Sequence, residues 1–150
     1  MRAADPGTTP DAGLAEIQAR VRAGLAQVED ALKDAVDTAD PFVREAAGYL
    51  LAAGGKRLRP TLVLLAGHTG DPGDPRLVGA AVAIELTHLS SLYHDDVVDE
   101  AEVRRGASSA NARYDNKVAV LTGDYLFARA RTRVASVPRL AVTSEALANR

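Results

Sequence analysis

Three aspartates, Asp95, Asp96 and Asp99, fall within five residues of a 150-residue chain. On a helix Asp95 and Asp99 lie one turn apart on the same face, with Asp96 offset by about 100°. Like charges at this spacing repel, and they come directly after the apolar Leu89–Tyr93 stretch. A hard divalent cation would remove the repulsion. Oxygens offered from one helical face leave coordination positions open for water and phosphate oxygens, which is how Mg²⁺ prefers to bind. Taken alone, the triplet reads equally well as a solvated acidic helix end. Its neighbours add to it: His88 lies seven residues earlier, two turns back, and Arg104 and Arg105 follow just before Gly106. One helix and its exit loop thus present carboxylates, an imidazole and two guanidiniums to one region. Carboxylates bind a metal, and guanidinium forks take the oxygens of a diphosphate that the metal leaves free.

A second cluster is basic: Gly54-Gly55-Lys56-Arg57-Leu58-Arg59-Pro60. The glycines let the backbone approach a ligand closely. The proline marks a helix start, whose N-terminal dipole favours an anion. It is not a Walker loop, because Gly-x-x-x-x-Gly-Lys-Ser/Thr is absent. In isolation this stretch reads as often as a basic interhelical loop facing water.

The elements that must position these clusters read as helices. Hydrophobic residues make up 47% of the chain and aromatics 4%, with Ala, Leu and Val dominant; such composition suits helix-on-helix packing better than a β-sandwich. Residues 1–10 form a loose tail without apolar periodicity. Leu14, Ile17, Val21, Leu25, Val28, Leu32 and Val36 then recur at spacings of three and four. They mark one apolar stripe on a long helix with Asp11 as its cap, packed on its own domain or dimer rather than on a separate partner. Asp40-Pro41 restarts helix, carried by Phe42, Ala46, Tyr49 and Leu50 up to Gly54-Gly55. Pro60 opens a run through Ala66, residues 70–75 are a Gly/Pro/Asp loop, and Arg76 to about Glu100 reads as one long helix. A polar loop spans Arg104 to Ala107 and a further helix runs from about Asn116 to Arg129. With no internal repeat and no strand of alternating polarity, the fold class is all-α in a single domain.

Net charge is −2, so overall charge predicts neither a nucleic-acid nor a membrane partner. The absence of cysteine excludes disulfides and thiolate sites. The first residues lack the apolar run of a signal peptide, and the longest apolar run, Leu62 to Gly67, is too short to span a bilayer. These features predict a soluble, cytoplasmic protein.

Together the pieces closely resemble the trans-isoprenyl (polyprenyl) diphosphate synthase family in its N-terminal part. The residues that carry the resemblance are Gly54-Gly55-Lys56-Arg57-Leu58-Arg59-Pro60, Glu85-Leu86-Thr87-His88, and His94-Asp95-Asp96-Val97-Val98-Asp99-Glu100 with Arg104-Arg105-Gly106. The run from Asn116 through Gly123-Asp124 to Leu126 is similar to the family's next helix, so the likeness covers about residues 40–130. It implies the N-terminal half of an antiparallel helix bundle of the isoprenoid synthase type. It also implies that the enzyme condenses isopentenyl diphosphate with an allylic diphosphate and works with Mg²⁺ as a homodimer. Lys56, Arg59 and His88, helped by Arg105, would hold the isopentenyl diphosphate. Asp95, Asp96 and Asp99 would bind Mg²⁺ on the allylic diphosphate, with Arg104 on the same group. In the family bulky aromatics at the positions of Ser90 and Ser91 block the growing chain, so two serines imply a medium or long product.

The sequence also departs from the family. The second aspartate-rich motif is absent, since no DDxxD follows Asp99. Beyond about Arg131 the motifs fade, with Arg129, Arg131, Arg133, Arg139 and Arg150 facing a single Glu145 and Pro138 interrupting the run. Residues 131–150 are therefore expected to be a divergent or truncated end, and the chain alone is expected to have little synthase activity. His94-Asp95 is also similar to the metal-binding pair of HD phosphohydrolases, but only His68 and His88 remain as further ligands. That reading leaves the two basic clusters unexplained, and terpene cyclases, which share DDxxD, would lack those clusters. The non-enzyme alternative is a helical subunit of a heteromeric prenyl synthase.

Overall fold

A computed structural model describes residues 10–135. Six helices run in order: α1 (Pro10–Val36), α2 (Pro41–Ala52), α3 (Leu58–Gly67), α4 (Arg76–Val98), α5 (Ala110–Tyr114) and α6 (Asn116–Ala135). Between α4 and α5 lies a hairpin of two short antiparallel strands, β1 (Val103–Arg104) and β2 (Ala107–Ser108), in the register Val103 to Ser108 and Arg104 to Ala107. The all-α expectation holds. The hairpin replaces a plain polar loop, and α5 adds a turn of helix that periodicity could not reveal in five residues.

Local chemistry explains most boundaries. Asp40 accepts hydrogen bonds from the backbone N–H groups of Phe42 (2.9 Å) and Val43 (3.1 Å), and Pro41 occupies the first helical position of α2. Ser109 caps α5 by accepting from Ala112 N–H at 3.3 Å. The hairpin turns through Arg105 (φ 54°) and Gly106 (φ 79°), two left-handed residues whose twist matches that of paired strands. α1 begins at Pro10, which puts Asp11 inside its first turn rather than at the cap. α3 begins at Leu58, two residues ahead of the proline expected to open it.

The centre of the bundle is α4, which packs on α1, α3, α5 and most extensively on α6. Its buried residues run almost all round the helix: Ala81, Val82, Glu85, Leu86, Leu89, Ser90, Tyr93 and Asp96. Such a helix is a core element rather than an amphipathic surface one. Val28 and Leu32 of α1, Leu50 of α2 and Leu126 of α6 complete the fully buried core. Along the α1 stripe Val21, Val28, Leu32 and Val36 are buried and Ile17 and Leu25 partly so, but Leu14 is 55% exposed. Leu14 lies on an open groove between α1 and α3 that Ile17, Val21, Thr61 and Leu65 also line. Tyr93 pins α4 to α2, its hydroxyl accepting from Leu50 N–H at 3.3 Å and donating to the Ala46 carbonyl. Burial holds that phenol well above its ordinary pKa.

Candidate diphosphate and metal site

The acidic triplet straddles the end of α4. Asp95 lies in its last turn and Asp99 is the C-cap residue. Carboxylates at a helix C-terminus face the negative end of the dipole, and those on one face also repel each other. Asp95 and Asp99 are exposed, which leaves both open to a cation that would offset these costs.

Asp96 behaves differently. Its residue is 0% exposed; Oδ1 accepts from Arg104 Nε at 2.6 Å and Oδ2 from Ala110 N–H, the first residue of α5, at 3.4 Å. Asp96 thus does not stand open beside Asp95 and Asp99, and among the described residues no three acidic or histidine groups converge to hold a metal. The 100° offset turns Asp96 into the bundle, where a buried carboxylate must be paired. It anchors the hairpin and the start of α5. Arg104, half-buried, makes that pair through its Nε. Two exposed carboxylates still fit a Mg²⁺ ion that keeps waters and substrate oxygens as its remaining ligands.

The basic loop does come to the same region. The partly buried His88 imidazole is held below its ordinary pKa, first by desolvation and next by Arg59, with Arg105 adding to the effect while Glu85 and Asp95 oppose it. One ring on α4 therefore feels the start of α3, the hairpin tip and the acidic end of its own helix. Arg105 reaches back to the end of α2, where Nη1 donates to the Leu50 carbonyl at 3.0 Å and to the Gly54 carbonyl. Burial first, and then Arg57, lowers its pKa. The two guanidiniums crowd over Gly55. A Cβ there would sit 2.8 Å from Arg57 Nη1 and 3.1 Å from both Arg105 Nη atoms, so a side chain at this position would push the guanidiniums aside. Lys56 and Arg59 are exposed and make no ion pair among the described residues. Like charges gathered with so few counter-charges make a site for a polyanion.

Arg57 was not among the expected site residues. It is 9% exposed and paired with Glu29 on α1 and Glu85 on α4. Each partner is 28 residues away in sequence, so nothing local marked it. Ser90 and Ser91 part company in the fold. Ser90 is buried and donates to the Gly123 carbonyl at 2.7 Å, a helix-packing contact; Ser91 is exposed and donates to the His88 carbonyl at 2.9 Å. An apolar pocket of about 210 Å³ opens between α2 and α6, lined by residues that include Phe42, Ala46, Leu121 and Tyr125 but neither serine. Behind the acidic end, His94 spans α4 and α6. Its Nε2 lies 3.2 Å from the Val120 carbonyl and 3.3 Å from Asp124 Oδ1, and the ring rests directly on Gly123.

The polyprenyl synthetase family matches residues 40–149. Nonaprenyl diphosphate synthase of Mycobacterium tuberculosis is 48% identical over 126 residues, covering 83% of this chain and 38% of that protein. Heptaprenyl diphosphate synthase component 2 of Geobacillus stearothermophilus is 49% identical over 113 residues, 75% of this chain and 35% of that one. A crystal structure of polyprenyl synthase from Caulobacter crescentus, complexed with calcium and isoprenyl diphosphate, superposes with a TM-score of 0.71. It is 33% identical and covers 87% of this chain and 42% of that one. The chain spans less than two fifths of the length of the two curated relatives. The match to more than half of this chain, on an all-helical fold that sets a glycine-flanked basic loop beside an acidic helix end, shows that the chain belongs to the polyprenyl synthetase family.

Proposed function

We propose that this chain supplies the diphosphate-binding part of a prenyltransferase that joins isopentenyl diphosphate to an allylic diphosphate. The observation that carries it is the hairpin after the acidic helix end, whose Arg105 donates to the Gly54 carbonyl of the basic loop while the adjacent Arg104 pairs with Asp96. Lys56, Arg59, His88 and Arg105 bind the isopentenyl diphosphate through charge-assisted hydrogen bonds. Asp95 and Asp99 hold Mg²⁺ against the allylic diphosphate, where the ion neutralises charge that develops on the leaving group. Asp96 and Arg104 act one step removed, fixing the hairpin that presents Arg105. The calcium and isoprenyl diphosphate bound by the Caulobacter relative support a divalent ion and this substrate class.

Ser91, exposed one turn before Asp95, is the chain-length position in this reading, and it leaves room for a medium or long product. Replacing Ser91 with Phe in a complete synthase carrying these residues shortens the product; an unchanged product length refutes the assignment. The reading carries with it a cytoplasmic homodimer. Among the described residues no helix is long and apolar enough to cross a membrane. Alone, the chain is expected to incorporate little radiolabelled isopentenyl diphosphate, and normal turnover would overturn that.

Isothermal titration with Mg²⁺ and a non-hydrolysable allylic diphosphate analogue tests the site. Saturable binding that requires both, and that is lost in Asp95→Asn and in Asp99→Asn, is the expected result. Binding indifferent to Mg²⁺ and to both substitutions refutes the site. The likeness to component 2 of a heptaprenyl diphosphate synthase favours a second reading, a helical subunit of a heteromeric synthase. Titration again separates the two, because a non-catalytic subunit has no need to bind the analogue.

A further inference from the structure

Beneath the basic loop lies a guanidinium that the substrate contacts proposed above leave unused. Arg57 is 9% exposed, and its backbone is left-handed at φ 47°, a conformation disfavoured for residues with a Cβ. Surrounding contacts over-determine that conformation. Nε and Nη2 fork onto the Glu29 carboxylate of α1. Nη1 reaches Glu85 Oε1 of α4 at 3.3 Å, and Nη2 the Leu51 carbonyl of α2 at 3.4 Å. The Arg57 carbonyl in turn accepts from Thr61 N–H at 3.0 Å and from Thr61 Oγ1 at 2.8 Å, closing the first turn of α3. One residue therefore ties three helices to the start of a fourth. The basic residues flanking it, Lys56 and Arg59, are exposed.

We propose that Arg57 is a positioning residue, an internal strut whose counter-charges Glu29 and Glu85 hold Lys56 and Arg59 toward His88 and Arg105. It does not itself grip the diphosphate. Every nitrogen of its guanidinium is engaged within the protein, whereas a residue meant for a ligand would keep one side free. The proposal rests on the anion-binding reading above.

The sign of a charge change distinguishes a strut from a ligand. If Arg57 were a diphosphate ligand held in reserve, removing Glu85 would release it and add positive charge to the site, tightening anion binding. If it is a strut, the same change leaves a buried guanidinium short of a partner, and the loop loosens. The experiment titrates the chain with inorganic pyrophosphate at fixed ionic strength without metal. Hydrogen exchange at residues 54–61 is followed alongside. Glu85→Gln is expected to weaken pyrophosphate binding about fivefold or more despite the gain in net positive charge. Arg57→Lys, which keeps the charge but not the fork, is expected to weaken it about tenfold and to speed exchange at 54–61. Tighter or unchanged binding in Glu85→Gln, or wild-type exchange in Arg57→Lys, overturns the proposal. Circular dichroism checks that helicity is kept. Should Glu85→Gln not fold, Glu29→Gln, whose carboxylate is half-buried, carries the same expectation and the same refutation. Should the wild-type chain fail to bind pyrophosphate, the anion-binding reading falls. Exchange then decides for the strut alone, with faster exchange supporting it and unchanged exchange ending it.

Discussion

The Nε of Arg104 lies 2.6 Å from Oδ1 of Asp96, and that aspartate is fully buried. The middle member of the acidic triplet thereby ties the hairpin to the end of α4, while Asp95 and Asp99 on either side remain open. Removing one partner of a buried pair leaves an uncompensated charge, at a cost of about 3 kcal/mol. Asp96→Ala is expected to lower stability by that order in urea denaturation. Asp95→Asn and Asp99→Asn are expected to leave the midpoint unchanged while abolishing Mg²⁺-dependent diphosphate binding.

The α4–α6 contact behind the acidic end depends on a missing side chain. His94 packs so closely on Gly123 that a methyl group there would clash with the imidazole. Gly123→Ala is expected to cost about 1–3 kcal/mol, the usual range for overpacking a tight interface. His94→Ala in the same chain should restore much of it. A double-mutant cycle by chemical denaturation reads the coupling, and additive effects would contradict the contact.

His88 gives a pH dependence. Its folded pKa is below the ordinary value of about 6.5, so between the two the unfolded chain binds more protons than the folded one. The contribution of this group to stability is complete above that window and is lost as pH falls through it. An NMR titration of the ring is expected to give a midpoint below 6.5, as for a desolvated imidazole. Arg59→Ala should raise it only part of the way, because desolvation is the larger cause. Pyrophosphate should raise it in the wild-type chain, since a nearby anion favours the charged ring.

The two serines ahead of the acidic triplet are expected to answer differently to bulk. Ser90 is buried against the Gly123 carbonyl, so Ser90→Phe overpacks the α4–α6 contact and should lower the urea midpoint by about 2 kcal/mol or more in stability. Ser91 is exposed, and Ser91→Phe should be tolerated within about 0.5 kcal/mol. Equal responses would mean that the two do not face as described.

Much of this was legible along the chain because it is encoded locally. Asp40-Pro41 starts α2 through a cap and a ring-fixed φ, both set by adjacent residues. Apolar spacing marks α1, and an uninterrupted run marks α4. The chemistry of the site followed from residue types that only an anion and a cation together would bring within one stretch. Other features turn on contacts between distant residues. The hairpin and α5 are too short for periodicity to show, and Asp96 holds them by an ion pair and a backbone hydrogen bond. Arg57 reads as one more cation in a basic run until the fold brings Glu29 and Glu85 to it. The sequence by itself therefore determined which helices form and which charges are available, since propensity, capping and periodicity act over a few residues. Only the tertiary structure decided which charges are buried and paired, as Asp96 and Arg57 are, and which stay open, as Asp95, Asp99, Lys56 and Arg59 do. Burial depends on neighbours that the chain supplies from far away, and desolvation permits a charge inside only where a partner meets it.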